Sequence, residues 1–295
     1  MTWQFSLAGL LVGVLVGMTG MGGGSLMTPI LILFFGFDAK LAVGTDILHG
    51  AVFKSFGAAR HRMLGTVHGR LAGWMLVGSA PLSLVGVEVA NRVGNNDMSR
   101  LQQIVGAALI FGGAGFVAKT FIHASDDDAP FRLSPRDKAM AVAIGAFGGF
   151  VVGLTSVGSG TFFGLAMLFA YPLTASRMVG TDMFHAAVLL WVAGVSHLLH
   201  GDVDKHAIAW LLVGSIPGVL IGSSLSIRVP ERPLRIGFGV VLLVSGIKLV
   251  NMPAANDVVA AALSLLALGL AVFLVREYRR RRRTRLPGVS PQRAA

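Results

Sequence analysis

Long apolar stretches separated by short polar breaks fill most of the 295 residues, and they constrain the fold more than any other feature. The stretches cover residues 4–36, 41–59, 72–91, 101–121, 139–173, 178–199, 207–227, 234–250 and 257–275. Seven of them are close to the ~20 residues with which a helix crosses a bilayer. Only 13% of the residues are charged, about half the share in a soluble domain, so a water-facing surface could not be covered. The stretches lack the alternation of barrel strands, and we predict an all-α polytopic membrane protein.

Two of the stretches, 4–36 and 139–173, are too long for one straight span, and a glycine cluster interrupts each of them. The first cluster reads Gly17-Met-Thr-Gly-Met-Gly-Gly-Gly-Ser25, and the second reads Gly153-Leu-Thr-Ser-Val-Gly-Ser-Gly-Thr161. Glycine loses the most backbone entropy in a helix and readily takes positive φ, so a cluster of glycines breaks the helix. Each long stretch is therefore predicted to form two helical arms joined by a turn.

The chain contains an internal repeat, because adding 136 to each residue number superposes the two halves without a gap from Val16 to Val93. The shift matches the two glycine clusters, Val43-Gly-Thr-Asp46 with Val179-Gly-Thr-Asp182, His49 with His185, and the Gly-Ser-x-Pro motifs that begin at Gly78 and Gly214. A duplicated apolar body with interrupted segments in corresponding positions is typical of secondary transporters.

Basic residues in the loops distinguish parallel from inverted repeats through the positive-inside rule. If each glycine-broken stretch crosses the membrane once, eight basic loop residues lie on one side of the membrane and seven on the other, before the C-terminal tail is counted. If each stretch is instead a re-entrant hairpin, eleven basic loop residues lie on the same side of the membrane as the basic tail and four lie on the opposite side. We therefore predict an inverted-repeat helical bundle of seven full spans plus two re-entrant hairpins, with the N-terminus outside and the C-terminus cytoplasmic.

This topology predicts five parts along the chain. They are a first repeat over 1–122, a polar linker over 123–138, a second repeat over 139–252, an extra span over 253–275 and a basic tail over 276–295. The tail holds eight arginines against one glutamate and so carries +7 of the net +11. A basic segment directly after an apolar span is typical of a cytoplasmic anchor on anionic lipid, and we predict no nucleic-acid partner.

The two glycine turns are the predicted substrate site, because irregular backbone at membrane depth must be buried in protein or line a wet cavity. Unpaired N–H groups at the start of the second arm, assisted by hydroxyls, favour an anion. The predicted substrate-binding residues are Thr19, Gly22, Gly23, Gly24, Ser25, Thr155, Ser156, Gly158, Ser159, Gly160, Thr161 and Lys54. The alternative is that the glycines only allow helices to pack closely.

Ionisable residues inside the second apolar segment and its copy are candidates for coupling or bracing. Asp46 and Asp182 either brace the neighbouring hairpin through backbone N–H groups or exchange protons. His49 and His185 follow them at i+3, a spacing that allows an Asp-His pair to carry a proton. Lys54, whose copy is Leu190, either supports an anion path or pairs with Asp46, and the sequence leaves both open.

A group of histidines and aspartates near the loops suggests a metal site at first sight. The group comprises His61, His68, His197, His200, His206, Asp202 and Asp204. Under the inverted topology its two parts lie on opposite faces of the membrane, and the second part has no matching ligand set in the first half. We predict no metal and no cofactor.

The motifs resemble those of a known family. They are the run Gly-x-x-x-Gly-x-x-Gly-x-Gly-Gly-Gly with Pro29 shortly after it, the repeated Val-Gly-Thr-Asp, and the paired Gly-Ser-x-Pro. Over residues 5–275 the chain resembles the TauE/SafE sulfite exporters, also called the TSUP family. The resemblance implies a bacterial inner-membrane protein that moves sulfite, sulfoacetate or another small organosulfur or carboxylate anion, usually without ATP. The second half departs from the pattern at Ser156, Ser159, Thr161 and Leu165.

We predict a secondary transporter, an exporter of sulfite or an organosulfonate first, that works by alternating access around the paired turns with proton coupling. An anion channel or membrane sensor is the alternative, and an intramembrane enzyme is less favoured because His197-Leu-Leu-His200 has no carboxylate partner within its helix. The expected partners are the anion and the bilayer, and a homodimer is compatible with the sequence.

Overall fold

The computed structural model describes residues 2–19, 24–121, 132–225 and 231–251. This part of the chain contains ten α-helices and no β-strand, which confirms the all-α prediction for it. The helices are α1 (Thr2–Thr19), α2 (Gly24–Phe35), α3 (Ala39–Met63), α4 (Gly69–Asn96), α5 (Met98–Phe121), α6 (Pro135–Thr155), α7 (Phe162–Ala170), α8 (Ala175–Leu199), α9 (Lys205–Leu225) and α10 (Glu231–Leu249). The first part of the linker, the predicted extra span and the basic tail lie outside the described residues.

Five of the described helices, namely α4, α5, α6, α8 and α9, are long and apolar enough to cross a membrane. The 25 residues of α3 would extend over about 37 Å at 1.5 Å per residue. That helix carries Asp46, His49 and Lys54 in its interior, which lowers its mean hydropathy. Multiple helical spans are thus present, and buried ionisable residues lie on both α3 and α8.

Both glycine-broken stretches fold back on themselves. In the first, Phe5 near the start of α1 stacks on Phe35 at the end of α2, with ring centroids 4.3 Å apart. In the second, the Tyr171 hydroxyl after α7 donates a hydrogen bond of 2.9 Å to the Asp137 carbonyl near the start of α6. Burial, together with the nearby Asp137 charge, raises the pKa of Tyr171 to about 12, so the donor stays protonated. In each stretch the outer ends of the two arms meet.

Two helix pairs that join the halves run parallel. Along α1 and α9, Gly9 lies against the backbone of Leu211 and Gly13 against that of Ser215. α4 and α6 are related in the same way, since Gly145 lies against Met75 and Gly149 against Ser79. An added Cβ at these glycines would overlap the facing backbone, so glycine is required there by close helix packing.

Two other pairs that join the halves run antiparallel. Along α3 and α8, Gly50 faces Leu190 and Gly57 faces Met183. Along α5 and α10, the backbone of Gly106 faces that of Gly246 and Gly113 faces Gly239. The two central helices α3 and α8 are therefore related by a reversal of direction, although their sequences are copies of each other.

Hydrogen bonds between the halves occur in matched pairs under the 136-residue shift. His49 contacts Ser215 and His185 contacts Ser79, each with 2.9 Å between imidazole Nε2 and hydroxyl Oγ. The Thr45 hydroxyl accepts from the Asp204 N–H at 3.0 Å, and its copy, the Thr181 hydroxyl, accepts from the His68 N–H at 2.9 Å. Each contact becomes its mate when the two halves are exchanged, so a pseudo-twofold axis passes between α3 and α8.

Candidate functional site

The second glycine turn, residues 156–161, joins α6 to α7 and is buried throughout. Ser156, Gly158 and Gly160 have φ of 63°, 129° and 96°, so the chain leaves helical geometry there. The N–H groups from Gly158 to Thr161 have no hydrogen-bond acceptor among the described residues. Successive unpaired N–H groups in such a turn, at the start of a helix, form a concavity that favours an anion.

Lys54 reaches this turn from α3. Its side chain is fully buried, and its Nζ donates a hydrogen bond of 2.7 Å to the Ser159 hydroxyl. The ammonium group is also within Coulombic reach of the carboxylates of Asp182 and Asp46. A positive charge therefore lies directly beside the unpaired N–H groups. Lys54 thus contacts the turn and lies near both carboxylates, and its two alternative roles stay predictions.

Asp46 connects the hairpins of the two halves. Its Oδ2 accepts from the Thr28 N–H at 3.1 Å, from the Thr28 hydroxyl at 2.6 Å and from the Ser156 hydroxyl at 2.8 Å. Thr28 belongs to α2, whereas Ser156 begins the second turn. The other carboxylate oxygen of Asp46, Oδ1, is buried without a hydrogen-bond partner in the described structure. The backbone contact to Thr28 is a bracing contact, and Oδ1 remains available to a proton or a water.

The copy of Asp46 lies in different surroundings. Asp182 is also buried, at 4% exposure, but Gly164 occupies the position that corresponds to Thr28. The second half therefore lacks the hydroxyl that donates to Asp46 in the first half. Because Lys54 also has no basic copy, the site is chemically asymmetric although the backbone around it is repeated.

The two histidines contact serines of the opposite half rather than the aspartates three residues before them. His49 and His185 are fully buried, and in each the Nε2 atom is bonded to Ser215 or Ser79. The Nδ1 atom of each has no hydrogen-bond partner in the described part of the chain. The Asp-His pair predicted for proton transfer is therefore not formed as a direct hydrogen bond in this conformation.

Four hydroxyls lie in the second turn or at the end of α6, and their surroundings differ. The Thr155 hydroxyl, in the last turn of α6, donates to the Val151 carbonyl at 2.8 Å. The hydroxyls of Ser156 and Ser159 contact Asp46 and Lys54. Thr161 is 2% exposed, and its Oγ1 has no hydrogen-bond partner among the described residues. Thr161 is therefore the hydroxyl of this turn that is left for a ligand.

The first glycine turn is described at its two ends. α1 ends at Thr19 and α2 begins at Gly24, so a break occurs where the sequence predicts it. Gly22 and Gly23 lie outside the described residues, as do the side chains of Thr19 and Ser25. The substrate-binding role predicted for these residues stays a prediction.

Two of the histidines near the loops form hydrogen bonds within the protein. His61 contacts the Thr66 hydroxyl at 2.9 Å, and His197 contacts the Gly153 carbonyl at 3.0 Å. Asp202 forms an ion pair of 2.9 Å with Lys40. Burial alone would raise the pKa of Asp202, but the neighbouring His197 and Lys40 hold it below its usual value. Asp202 therefore stays ionised at neutral pH and anchors the α8–α9 loop to α3.

A crevice of about 270 Å³ adjoins the second turn, between α5 and the α6–α7 hairpin. Its walls are mostly apolar side chains and glycines from these three helices, and the lining residues Phe111 and Phe147 are exposed. Gly158 and Thr161 belong both to the crevice and to the turn. The unpaired Thr161 hydroxyl therefore lies where the apolar space meets the anion-favouring backbone.

Three polar residues of this cluster are absent from the predicted site. Ser79 and Ser215 belong to the repeated Gly-Ser-x-Pro motif, so their recurrence was a signal, but no partner could be assigned to them. Thr28 has glycine at the corresponding position of the second half, and comparison of the halves gives no signal for it.

The chain is similar to known membrane transporters. Residues 5–249 match the family described as Sulfite exporter TauE/SafE. The probable membrane transporter protein YjnA of Bacillus subtilis (strain 168) is 37% identical over 255 residues, which cover 85% of this chain and 100% of that protein.

More distant relatives carry similar names. The probable membrane transporter protein YunE of the same organism is 23% identical over 82% of this chain and 94% of its own length. A probable membrane transporter protein of Xylella fastidiosa (strain 9a5c) is 25% identical over 75% of this chain and 83% of its own length. No solved structure matches the chain.

Proposed function

This chain belongs to the sulfite exporter TauE/SafE family of membrane transporters, and from that premise we propose that it exports a small anion, sulfite or an organosulfonate such as sulfoacetate first. The family consists of transporters, not enzymes. The observation that carries the proposal is the buried ammonium group of Lys54 beside the second glycine turn, 2.7 Å from Ser159. The proposed location is the bacterial inner membrane.

The anion is held at the second turn in this proposal. Burying a lysine in a membrane protein costs free energy, so such a residue is expected to have a function and a negatively charged partner. Asp46 and Asp182 both attract the Lys54 ammonium, and the three groups together carry one net negative charge when all are ionised. An arriving anion accepts from the N–H groups between Gly158 and Thr161 and from the Lys54 ammonium, and it adds a further negative charge to the cluster. A proton taken up by an aspartate or a histidine would offset that charge, which supports proton coupling.

Alternating access follows from inverted repeats in this proposal. Repeats related by an axis along the membrane normal would place α3 and α8 parallel, whereas an axis in the membrane plane reverses them. The antiparallel contacts Gly50–Leu190 and Gly57–Met183 support the second arrangement. The two folded-back stretches support re-entrant hairpins, since in each the outer ends of the arms meet. In the second hairpin α6 alone is long enough to cross a membrane, whereas the nine residues of α7 are too few. The paired His-Ser contacts join the halves and would rearrange as one half tilts against the other.

The predicted topology can be tested with single cysteines, because the chain has none of its own. We expect Leu64→Cys, in the α3–α4 loop, to react with a membrane-impermeant maleimide only after the cells are permeabilised. His200→Cys, in the α8–α9 loop, should react in intact cells. Both positions are exposed, and they occupy corresponding loops of the two repeats. Labelling of both from the same side would contradict inverted repeats and support parallel ones.

Transport itself is tested by flux of radiolabelled sulfite into proteoliposomes that contain the purified full chain. We expect uptake to depend on an imposed pH gradient, since the charge of the central cluster favours uptake of the anion together with a proton. Flux that is independent of the gradient would indicate a channel. No flux of sulfite, sulfoacetate or thiosulfate in either direction would remove the transporter proposal and favour a membrane sensor.

A further inference from the structure

We propose that the crevice between α5 and the α6–α7 hairpin binds the apolar body of the transported anion, so that the preferred substrate is an organic sulfonate or carboxylate with a short hydrocarbon group rather than a bare inorganic oxyanion. The inference rests on the proposed function for the position of the anionic head at the second turn. It adds a second subsite and a substrate class.

The first support is the continuity of the two subsites. Gly158 and Thr161 line the crevice and also belong to the turn with the unpaired N–H groups. On the opposite wall, Gly112 of α5 keeps the approach to the turn clear. A Cβ at that position would lie 3.0 Å from Val157 Cγ1 and 3.7 Å from Thr161 Oγ1. A ligand whose head is bound at the turn can therefore extend directly into the crevice.

The second support is the distribution of polarity. The crevice walls consist of residues such as Ala108, Val151 and Leu165, which offer no hydrogen bond to a hydrated inorganic ion. Thr155 also lines the space, but its hydroxyl donates to the Val151 carbonyl. The Thr161 hydroxyl is buried and has no partner in the described structure. An amphiphilic anion satisfies both ends, because its oxygen accepts from Thr161 while its hydrocarbon covers the apolar walls.

The third support is size. A volume of about 270 Å³ is close to the lower end of the usual range for ligand pockets, and at roughly 30 Å³ per water-sized group it has room for about six to nine heavy atoms. The aromatic rings of Phe111, Phe147 and Phe162 flank this space and suit a linear alkyl or a single aryl group. A membrane lipid chain would also be apolar, but it carries nothing that accepts from the Thr161 hydroxyl at the inner end.

The test compares alkyl sulfonates of one to six carbons as ligands of the purified full chain, with Kd obtained from isothermal titration calorimetry. We expect the affinity to rise about 4-fold for each added methylene and to level off when the crevice is filled. Equal affinities along the series, with methanesulfonate still bound, would overturn this inference and leave the proposed function intact. No binding of methanesulfonate or sulfite would overturn both.

Variants of α5 test whether the crevice causes the dependence of affinity on chain length. Gly115→Leu should fill the crevice, since its Cβ would meet Leu165 at an ordinary 3.6 Å. We expect this variant to lose the dependence on chain length and to bind methanesulfonate as the parent does. Ala114→Leu, on the exposed side of the same helix, should keep the dependence. Ala108→Leu is a second variant that fills the crevice should Gly115→Leu be poorly folded. A dependence that persists in both filled variants would overturn the assignment of the crevice.

A neutral alcohol of the same chain length distinguishes a substrate subsite from a lipid site. We expect 1-pentanol to bind at least about 10-fold more weakly than pentanesulfonate, because the head contributes charge-assisted hydrogen bonds. Equal binding of the two compounds, lost in Gly115→Leu, would mean that the crevice takes any apolar chain and would overturn the inference.

Discussion

Lys54→Leu is expected to abolish sulfite binding and transport, with a loss of affinity of at least about 100-fold. The substitution removes the ammonium group beside the second turn and leaves Ser159 without its charged donor. It also leaves Asp46 and Asp182 without their shared counter-charge, and two unbalanced carboxylates repel an anion. Truncating one partner of a buried, hydrogen-bonded charge pair costs about 2–5 kcal/mol of binding free energy, and a 100-fold loss of affinity corresponds to about 2.7 kcal/mol. The measurement is sulfite-dependent thermal stabilisation together with proteoliposome flux.

Controls separate a lost site from a lost fold. The double variant Lys54→Leu/Asp182→Asn keeps the net charge of the cluster and should recover stability without recovering sulfite binding. Lys40→Leu removes a part-buried lysine that pairs with Asp202 rather than with the turn, and it should lower stability while the sulfite Kd stays within about 2-fold of the parent. A sulfite Kd for Lys54→Leu equal to that of the parent would show that the anion binds elsewhere.

The sequence predicts much of this fold because its strongest signals are local. The lengths of the apolar stretches predict the helices, and the glycine clusters predict where two stretches are interrupted. One interruption is described between Thr155 and Phe162. The 136-residue shift also identifies Ser79 and Ser215 as equivalent positions. It does not give their partners, because the His49–Ser215 contact spans 166 residues and depends on which helices pack together across the two halves.

The sequence does not distinguish glycines that allow close helix packing from glycines that allow a turn, since both roles require the absence of a side chain. In the structure Gly13 and Gly149 are helical, and an added Cβ would overlap the backbone of the facing helix. Gly158 and Gly160 have positive φ, and an added Cβ at Gly158 would meet side-chain atoms of Val152 and Phe162 rather than the backbone of a facing helix. The two interpretations of glycine offered by the sequence therefore apply to different positions, and the second turn is the place where conformation rather than packing requires it.

The chemical asymmetry of the site also exceeds what a repeat can predict. Comparison of the halves emphasises residues that recur, such as Asp46 and His49, and it passes over those that do not. Lys54 and Thr28 have leucine and glycine at the corresponding positions, yet they contact Ser159 and Asp46 in the middle of the structure. Inverted repeats can produce the two access states of a transporter. Binding of one substrate requires one particular set of charged and polar groups, so we expect the residues without a copy in the other half to determine specificity.

Gly160→Leu is expected to abolish transport while the protein still reaches the membrane. Gly160 has φ of 96°, where a side chain costs on the order of 1–3 kcal/mol. The turn is expected to relieve that strain by rotating its peptide groups, and the N–H groups between Gly158 and Thr161 would then no longer converge. An apolar side chain does not impair insertion, so loss of flux with normal membrane abundance is the expected result. Gly73→Leu is the control, because no atom lies within 4 Å of its added Cβ and it lies inside α4, and it should retain flux. Sulfite flux at the parent rate in Gly160→Leu would mean that the second turn does not bind the anion.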